Sequence, residues 1–221
     1  MKKIVIVGGG WAGSAAAVAA RKAGVQVVLL ERTDSLLGTG LVGGIMRNNG
    51  RYTAAEEMIA MGCGDLVTIT DSCARHRGIH FPGHNHASLY NVGTIEPLVK
   101  RYLTSLGIDV RLHQRVTSVR KVGRRLEACI TGLGETFEGD AFVDATGSAG
   151  PQVNCVKLGN GCCMCVLRCP SFGGRVSLTG LCGIQEMVGR AASGKLGSMS
   201  GSCKILKESL APHIVQELDS T

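Results

Sequence analysis

The N-terminal stretch constrains the fold more than any other part of the chain, because it reads as strand, turn, helix and strand. Residues 4–7 form a continuous apolar run rich in β-branched side chains, which is typical of a strand buried on both faces. Small side chains over residues 12–23 predict a helix that lies flat on a sheet, and Gly24 predicts its left-handed end. Residues 25–30 predict a second strand. This unit predicts an α/β fold with a parallel sheet.

The turn between the first strand and the helix has the spacing G-x-G-x-x-G. Gly8 allows a tight turn, Gly10 lets the backbone approach a pyrophosphate, and Gly13 lets the helix pack closely on the strand. The helix N-terminus then offers free N–H groups to phosphates. Glu31 ends the second strand, where a carboxylate accepts hydrogen bonds from ribose hydroxyls. Glycines, helix and acid in register predict a dinucleotide site.

The same residues could be read as a secretory signal peptide, with a basic start, an apolar stretch and an Ala-x-Ala ending. The dinucleotide pattern is more demanding and is preferred. No uninterrupted apolar run reaches the roughly 18 residues that a membrane span needs. We therefore expect a cytoplasmic protein without a membrane segment, in which the 10 cysteines stay reduced.

The net charge of +7 is compatible with an anionic partner. The basic residues are scattered, however, and the densest patch, residues 120–125, has no interleaved aromatic side chains. We interpret that patch as a solvent-exposed hairpin tip. Nucleic-acid binding is therefore not favoured.

The middle of the chain continues the α/β pattern. An amphipathic helix around Ile95–Leu106 precedes Gly107 and a strand. Residues 115–122 and 125–131 alternate and predict a hairpin. Residues 137–147 then predict an apolar strand that ends in Ala-Thr-Gly. A helix, a strand, a hairpin and a final strand complete the domain predicted from these residues.

These motifs resemble the FAD-dependent oxidoreductases of the glutathione-reductase-like superfamily. The resemblance rests on the N-terminal pattern, on Arg32 followed by LLGTGLVGG, and on VDATG at residues 143–147. VDATG is especially similar to the fumarate-reductase-like and tRNA-modifying branches. The resemblance covers roughly residues 1–150 and implies a Rossmann-type FAD-binding domain with a three-stranded meander insertion.

The resemblance also implies roles for individual residues. Glu31 would bind the ribose of the AMP half, and Arg32 and Gly38 would be further cofactor-binding residues, with the glycine-rich segment along the ribityl chain and isoalloxazine ring. Val116 would contact adenine through its backbone. Gly147 would pass close to the phosphates or the ribose.

Residues 151–221 are predicted to form a partial substrate or interaction region rich in glycine and cysteine. Members of the superfamily are usually longer, and they return to the FAD domain with a second glycine-rich segment. No convincing copy is found in residues 185–221. The chain is therefore interpreted as a fragment, a split subunit that needs a partner, or a degenerate relative.

An insert over residues 46–92 is predicted to contain a short helix at 54–61. His80, His84 and His86 follow within seven residues, but Pro82 and Gly83 interrupt metal-ligand spacing. We predict a loop here and no metal site, with one histidine as a candidate proton donor.

The segment GNGCCMCVLRCP, residues 159–170, leaves three interpretations open. The thiols could pack structurally, as buried free cysteines often do. Cys162 and Cys165 could form a redox-active C-x-x-C pair, and they are the candidate catalytic residues. An iron–sulfur cluster is possible but less favoured, because one ligand of the ferredoxin spacing is missing and Cys155 or Cys163 would have to replace it.

The predicted function is a flavoprotein oxidoreductase that binds FAD noncovalently and whose substrate is unknown. The alternatives are a non-catalytic or split FAD-binding subunit and a flavin-dependent tRNA-modifying enzyme. The expected partners are a small-molecule substrate or a redox partner protein, with a partner chain or a second copy completing the flavin site. Arg175, in a predicted strand and turn, is a candidate contact for an anionic substrate.

Overall fold

The computed structural model describes residues 1–43, 45–47, 49–81, 84–147 and 169–184, together with Pro212 and Gln216. The strands are β1 Lys3–Val7, β2 Gln26–Leu30, β3 Ile45–Arg47, β4 Ala74–Phe81, β5 His84–Tyr90, β6 Asp109–Arg111, β7 Val116–Val122, β8 Arg125–Thr131, β9 Thr136–Glu138 and β10 Ala141–Asp144. The helices are α1 Trp11–Lys22, α2 Gly40–Gly43, α3 Asn49–Ala60, α4 Asp65–Ser72, α5 Val92–Ser105, α6 Cys169–Phe172 and α7 Leu178–Leu181.

The central sheet is parallel and has the strand order β10-β1-β2-β6. α1 connects β1 to the adjacent β2, as the sequence predicts. Gly24 has φ +79° and ends the helix in the left-handed conformation. The predicted α/β fold with a Rossmann-type sheet is confirmed.

Alternate side chains of the parallel strands enter two separate cores. Ile6 and Leu29 pack with Val99 and Leu103 of α5 on one face of the sheet. On the other face lies a second cluster that includes side chains from the meander, and its members are Val5, Val7, Val28, Leu30, Val116, Cys129, Phe137 and Leu178. The sheet is therefore covered on both sides, which explains the continuous apolar runs in β1 and β2.

The predicted meander is present as the antiparallel sheet β7-β8-β9. Residues 137–147 were predicted as one strand, and that prediction is wrong. The chain turns at Gly139 and Asp140, so that β9 closes the meander and β10 joins the parallel sheet. Asp140 fixes this turn, because its Oδ2 accepts the N–H of Lys3 at 2.9 Å.

The insert contains the predicted helix, which is longer than expected, and it has two strands where a loop was predicted around the histidines. α3 begins at Asn49 and α4 follows it. β4 and β5 form a hairpin that pairs with β3, and the register shifts at several points along it. These irregularities explain why the region lacks the simple alternation that predicts a strand. No helix in the described part of the chain is long and apolar enough to cross a membrane.

Residues 169–184 pack against the meander side of the sheet. Leu178 is 3% exposed within the second core, and Lys121 Nζ donates to the Cys182 carbonyl at 2.8 Å. The sequence suggested a strand and turn here, whereas the structure has two short helices, α6 and α7.

Candidate cofactor-binding site

The glycine turn after β1 is built by three close backbone approaches. Gly8 has φ +106°, and its N–H donates to the Leu30 carbonyl at 2.7 Å. A Cβ at Gly8 would lie 2.2 Å from the carbonyl oxygen of Ala145, and a Cβ at Gly13 would lie 1.8 Å from that of Gly8. A Cβ at Gly10, in contrast, would meet no atom within 4 Å. Gly8 and Gly13 are therefore required by the fold, while Gly10 borders open space.

The N-terminus of α1 lies at this open space. Gly10 is the N-cap residue and makes no side-chain capping hydrogen bond, and the first turn contains no acidic residue. The first N–H groups of a helix have no partner within the helix, and they carry the positive end of its dipole. This helix end is therefore suited to bind an anion.

Glu31 fixes the backbone around the same turn. Its carboxylate is buried, and it accepts the N–H of Gly9 at 2.8 Å through Oε2 and the N–H of Thr33 at 2.9 Å through Oε1. Each carboxylate oxygen can accept a second hydrogen bond, so ribose hydroxyls remain possible donors. The sequence predicted the ribose role, but it did not indicate that Glu31 also holds the glycine turn against the end of β2.

A cavity of about 270 Å³ opens at the carboxyl ends of β1 and β2. Ligands bind outside this edge in open α/β sheets. Seven of the eight residues that we predicted to bind the cofactor line it. The eighth, Gly13, does not line it and packs against the Gly8 carbonyl. The seven are Gly8, Gly10, Glu31, Arg32, Gly38, Val116 and Gly147.

The glycine-rich segment after β2 forms another wall of this cavity and is held by α1. Leu37 has φ +71° and donates its N–H to the Gly9 carbonyl at 2.8 Å. Trp11 and Tyr90 pack edge to face with their ring centroids 5.8 Å apart, and Tyr90 Oη donates to the Gly40 carbonyl. Burial raises the pKa of Tyr90, so the phenol stays protonated as this donor.

Several pocket residues were missed by the sequence analysis. Gln114 is 7% exposed, and its Oε1 has no hydrogen-bond partner among the described residues. Arg115 lines the cavity, and its Nε donates to the Gly174 carbonyl at 2.9 Å. Cys169 and Val176 line it from beyond the meander. Apart from the proximity of Gln114 and Arg115 to Val116, no sequence pattern identifies them.

The candidate thiols and histidines are only partly described. Cys155, Cys162, Cys163 and Cys165 lie outside the described residues. Cys169 lines the cavity with its Sγ 3.6 Å from Arg32 Nη2. His80 lies on β4, while nothing is described of the side chains of His84 and His86. Within the described ranges, no group of three or more potential metal ligands is found.

Asp144, at the end of β10, gathers donors from two segments. Its Oδ1 accepts from the N–H and hydroxyl of Thr146 at 3.0 and 2.6 Å, and its Oδ2 accepts from those of Thr179 at 2.8 and 3.0 Å. Burial alone would raise the pKa of this carboxyl, but the hydrogen bonds outweigh it and lower the pKa below its ordinary value of 3.8. The ionised carboxylate thus ties α7 to the pocket edge.

We expect Asp144→Asn to destabilise the protein by about 1–3 kcal/mol at neutral pH, because the amide group faces donors that the carboxylate satisfied. Since the folded pKa is lowered, the stabilisation is fully present above about pH 4. It is lost as the pH falls through the folded pKa. Urea denaturation of both proteins from pH 7 to about pH 3 measures this difference.

The control for that experiment is Asp109→Asn, because Asp109 is exposed and its carboxylate binds the nearby Arg111 side chain at 2.8 Å. A change within about 0.5 kcal/mol is expected there. If the difference in the free energy of unfolding between the wild type and Asp144→Asn stayed constant down to pH 3, the ionised form of Asp144 would not be the one that stabilises the protein.

Comparison with known proteins gives a family and several solved structures. A family model described as FAD dependent oxidoreductase matches residues 3–150. The structure of the Diels-Alderase PyrE3, from the biosynthetic pathway of pyrroindomycins, is 27% identical with a TM-score of 0.50; the match covers 67% of this chain and 33% of that one. The likeness to PyrE3 supports the fold.

Two further structures are less similar. CtdE in complex with FAD is 21% identical with a TM-score of 0.48, and the match covers 71% of this chain and 40% of that one. A 2-methyl-3-hydroxypyridine-5-carboxylic acid oxygenase is 16% identical with a TM-score of 0.46, with coverages of 64% and 38%. The chain thus spans between a third and two-fifths of the length of these three structures.

Proposed function

The chain belongs to the FAD-dependent oxidoreductase family, and we propose that it binds FAD noncovalently in the cavity beside Gly10 and takes part in an oxidoreductase reaction. One observation carries this proposal: the residues predicted to hold FAD converge on one cavity, next to an uncapped helix N-terminus. When bound, FAD supplies hydride and one-electron chemistry through its isoalloxazine ring.

The residues present fit a dinucleotide. A pyrophosphate has room beside Gly10, where an added Cβ would meet nothing, and the first N–H groups of α1 are available to it. Glu31 can accept from the ribose of the AMP half. Val116 and the unpartnered Oε1 of Gln114 lie in the wall beyond Glu31, where the resemblance puts adenine. The chain thus has a group for each part of the AMP half.

The test is reconstitution of the purified protein with FAD or with FMN, followed by the visible absorption spectrum after removal of free flavin. We expect flavin bands with FAD. FMN should be retained more weakly, because it lacks the AMP half that Glu31 and the glycine turn would hold. Equal retention of both flavins would contradict the proposed binding mode, and a colourless protein after reconstitution would overturn the proposed function.

We expect Glu31→Ala to weaken FAD by about 1.5–3 kcal/mol, because charge-assisted hydrogen bonds to the ribose are lost. The free energy of unfolding should fall as well, since the N–H groups of Gly9 and Thr33 lose their acceptors. Flavin titration and urea denaturation measure the two effects. Glu31→Gln is the matched variant, because it keeps one acceptor oxygen, and its losses should be smaller. Unchanged FAD affinity in Glu31→Ala would mean that Glu31 does not reach the ribose.

The finer assignments stay proposals. We favour the glutathione-reductase-like superfamily with the fumarate-reductase-like or tRNA-modifying branch, on the VDATG motif at residues 143–147. We propose a small molecule or a redox protein as electron donor or acceptor, and a partner chain or second copy as a contributor to the flavin site. Sedimentation of the FAD-loaded protein tests the last point, because a monomer that holds FAD at full occupancy would exclude such a contributor.

A further inference from the structure

Segment 169–176 forms a wall of the cofactor cavity, although it lies beyond the residues that the family model matches. Cys169, Arg175 and Val176 all line the cavity. The contacts of this segment show how it is held against the cavity.

Two guanidinium groups of the pocket fix the segment at its glycine pair. Arg32 donates to the Gly173 carbonyl, and Arg115 Nε donates to the Gly174 carbonyl at 2.9 Å. Asp144 holds the chain on the other side, through Thr179. Arg175 lies between these anchors, so the position of its backbone is determined from both directions.

The side chain of Arg175 reaches the backbone that lies against the glycine turn. Its Nε donates to the Thr146 carbonyl at 3.3 Å. Thr146 lies directly against that turn, because a Cβ at Gly8 would come within 2.8 Å of the Thr146 nitrogen. Arg175, which is partly buried, is thereby held at the cavity wall by the Thr146 carbonyl, on the same cavity as Gly8, Gly10 and the start of α1.

This arrangement places a full positive charge on the same cavity as the partial positive charge of a helix N-terminus. A guanidinium and a helix N-terminus on one cavity favour an anion between them, and the fork of N–H groups of a guanidinium matches phosphate oxygens. We propose that Arg175 is a direct ligand of the pyrophosphate of the bound dinucleotide, so that segment 169–176 and the glycine turn hold the diphosphate from two sides. This inference rests on the proposed function.

The experiment compares Arg175→Gln with Arg124→Gln. Arg124 is exposed between β7 and β8, so its replacement removes the same charge away from the cavity. FAD is titrated by fluorescence, and ADP and adenosine are measured by displacement of FAD. We expect Arg175→Gln to raise the Kd of FAD and of ADP about ten- to a hundredfold, with adenosine unchanged. Arg124→Gln should leave all three unchanged.

Two results would overturn the inference. The first is that the two variants bind FAD and ADP with equal affinity. The second is that Arg175→Gln loses as much affinity for adenosine, which has no phosphate, as for ADP. If Arg175→Gln does not keep the circular dichroism of the wild type, Arg175→Lys is the test variant. It keeps the charge without the planar fork, so a severalfold loss for ADP is expected, and no loss would overturn the inference.

Failure of the proposed function gives a different result. A wild-type protein that binds neither flavin but binds ADP directly, with a loss in Arg175→Gln, would overturn the proposed function and support the diphosphate ligand. A wild-type protein that binds FAD as tightly as Arg175→Gln does would support the proposed function and overturn the inference about Arg175. Isothermal titration with ADP alone separates the two cases.

Discussion

Gly10→Val is expected to abolish detectable FAD binding while leaving the fold intact. Gly10 has φ −67° and ψ −175°, an ordinary extended conformation, and its added side chain would meet no protein atom. The side chain would instead occupy the space through which a pyrophosphate approaches the backbone. Losing two charge-assisted backbone hydrogen bonds costs on the order of 3 kcal/mol or more, which weakens FAD at least about a hundredfold.

Fluorescence titration with FAD measures this effect, and urea denaturation without ligand checks the fold. Gly10→Ala is the graded control, because its single methyl group should weaken FAD less than the branched side chain does. A Gly10→Val protein that purified with full FAD occupancy would refute the assignment of the glycine turn to the phosphates.

Gly13→Val, in contrast, is expected to destabilise the fold itself, with a large loss in the free energy of unfolding in the absence of any ligand. Its Cβ would lie 1.8 Å from the Gly8 carbonyl oxygen, and Gly8 cannot retreat because Ala145 lies directly behind it. The helix would have to move off the sheet. Overpacking of this kind costs about 3 kcal/mol.

Urea denaturation of the ligand-free protein measures that loss. The matched control is Ala12→Val, on the exposed side of the same helix turn, where only the lower helix propensity of valine acts and the loss should be under about 1 kcal/mol. Equal stabilities of the two variants would show that α1 does not depend on the close approach at Gly13. Of the two glycines of this motif, Gly10 is thus needed for ligand binding and Gly13 for the stability of the fold.

The first strand–helix–strand unit could be predicted from the sequence because its determinants are local. The apolar runs, the glycine spacing and Glu31 all act within about thirty residues, so their order along the chain already fixes their arrangement. The same holds for the β7–β8 hairpin, whose turn glycine, Gly123, has φ +59°. Residues that belong to a local motif could therefore be predicted from the sequence.

Features that depend on distant backbone groups could not be predicted. Residues 137–147 contain two strands because Asp140 binds the Lys3 backbone, which no local pattern reveals. Arg115 binds the carbonyl of Gly174, and any residue type could supply that acceptor. The hairpin β4–β5 was missed because its shifted register hides the alternation of buried and exposed side chains. The first two features depend on tertiary contacts, and the third depends on an irregular pairing of neighbouring strands.

The uncapped first turn of α1 has a consequence for how long the protein survives. No side chain caps this helix at Gly10, so a bound anion supplies the missing acceptors and becomes part of the folding equilibrium. A ligand present at a hundred times its Kd adds about 2.7 kcal/mol to the free energy of unfolding. Cofactor supply would then set the amount of folded protein, and cells short of flavin would lose more of the protein to proteolysis.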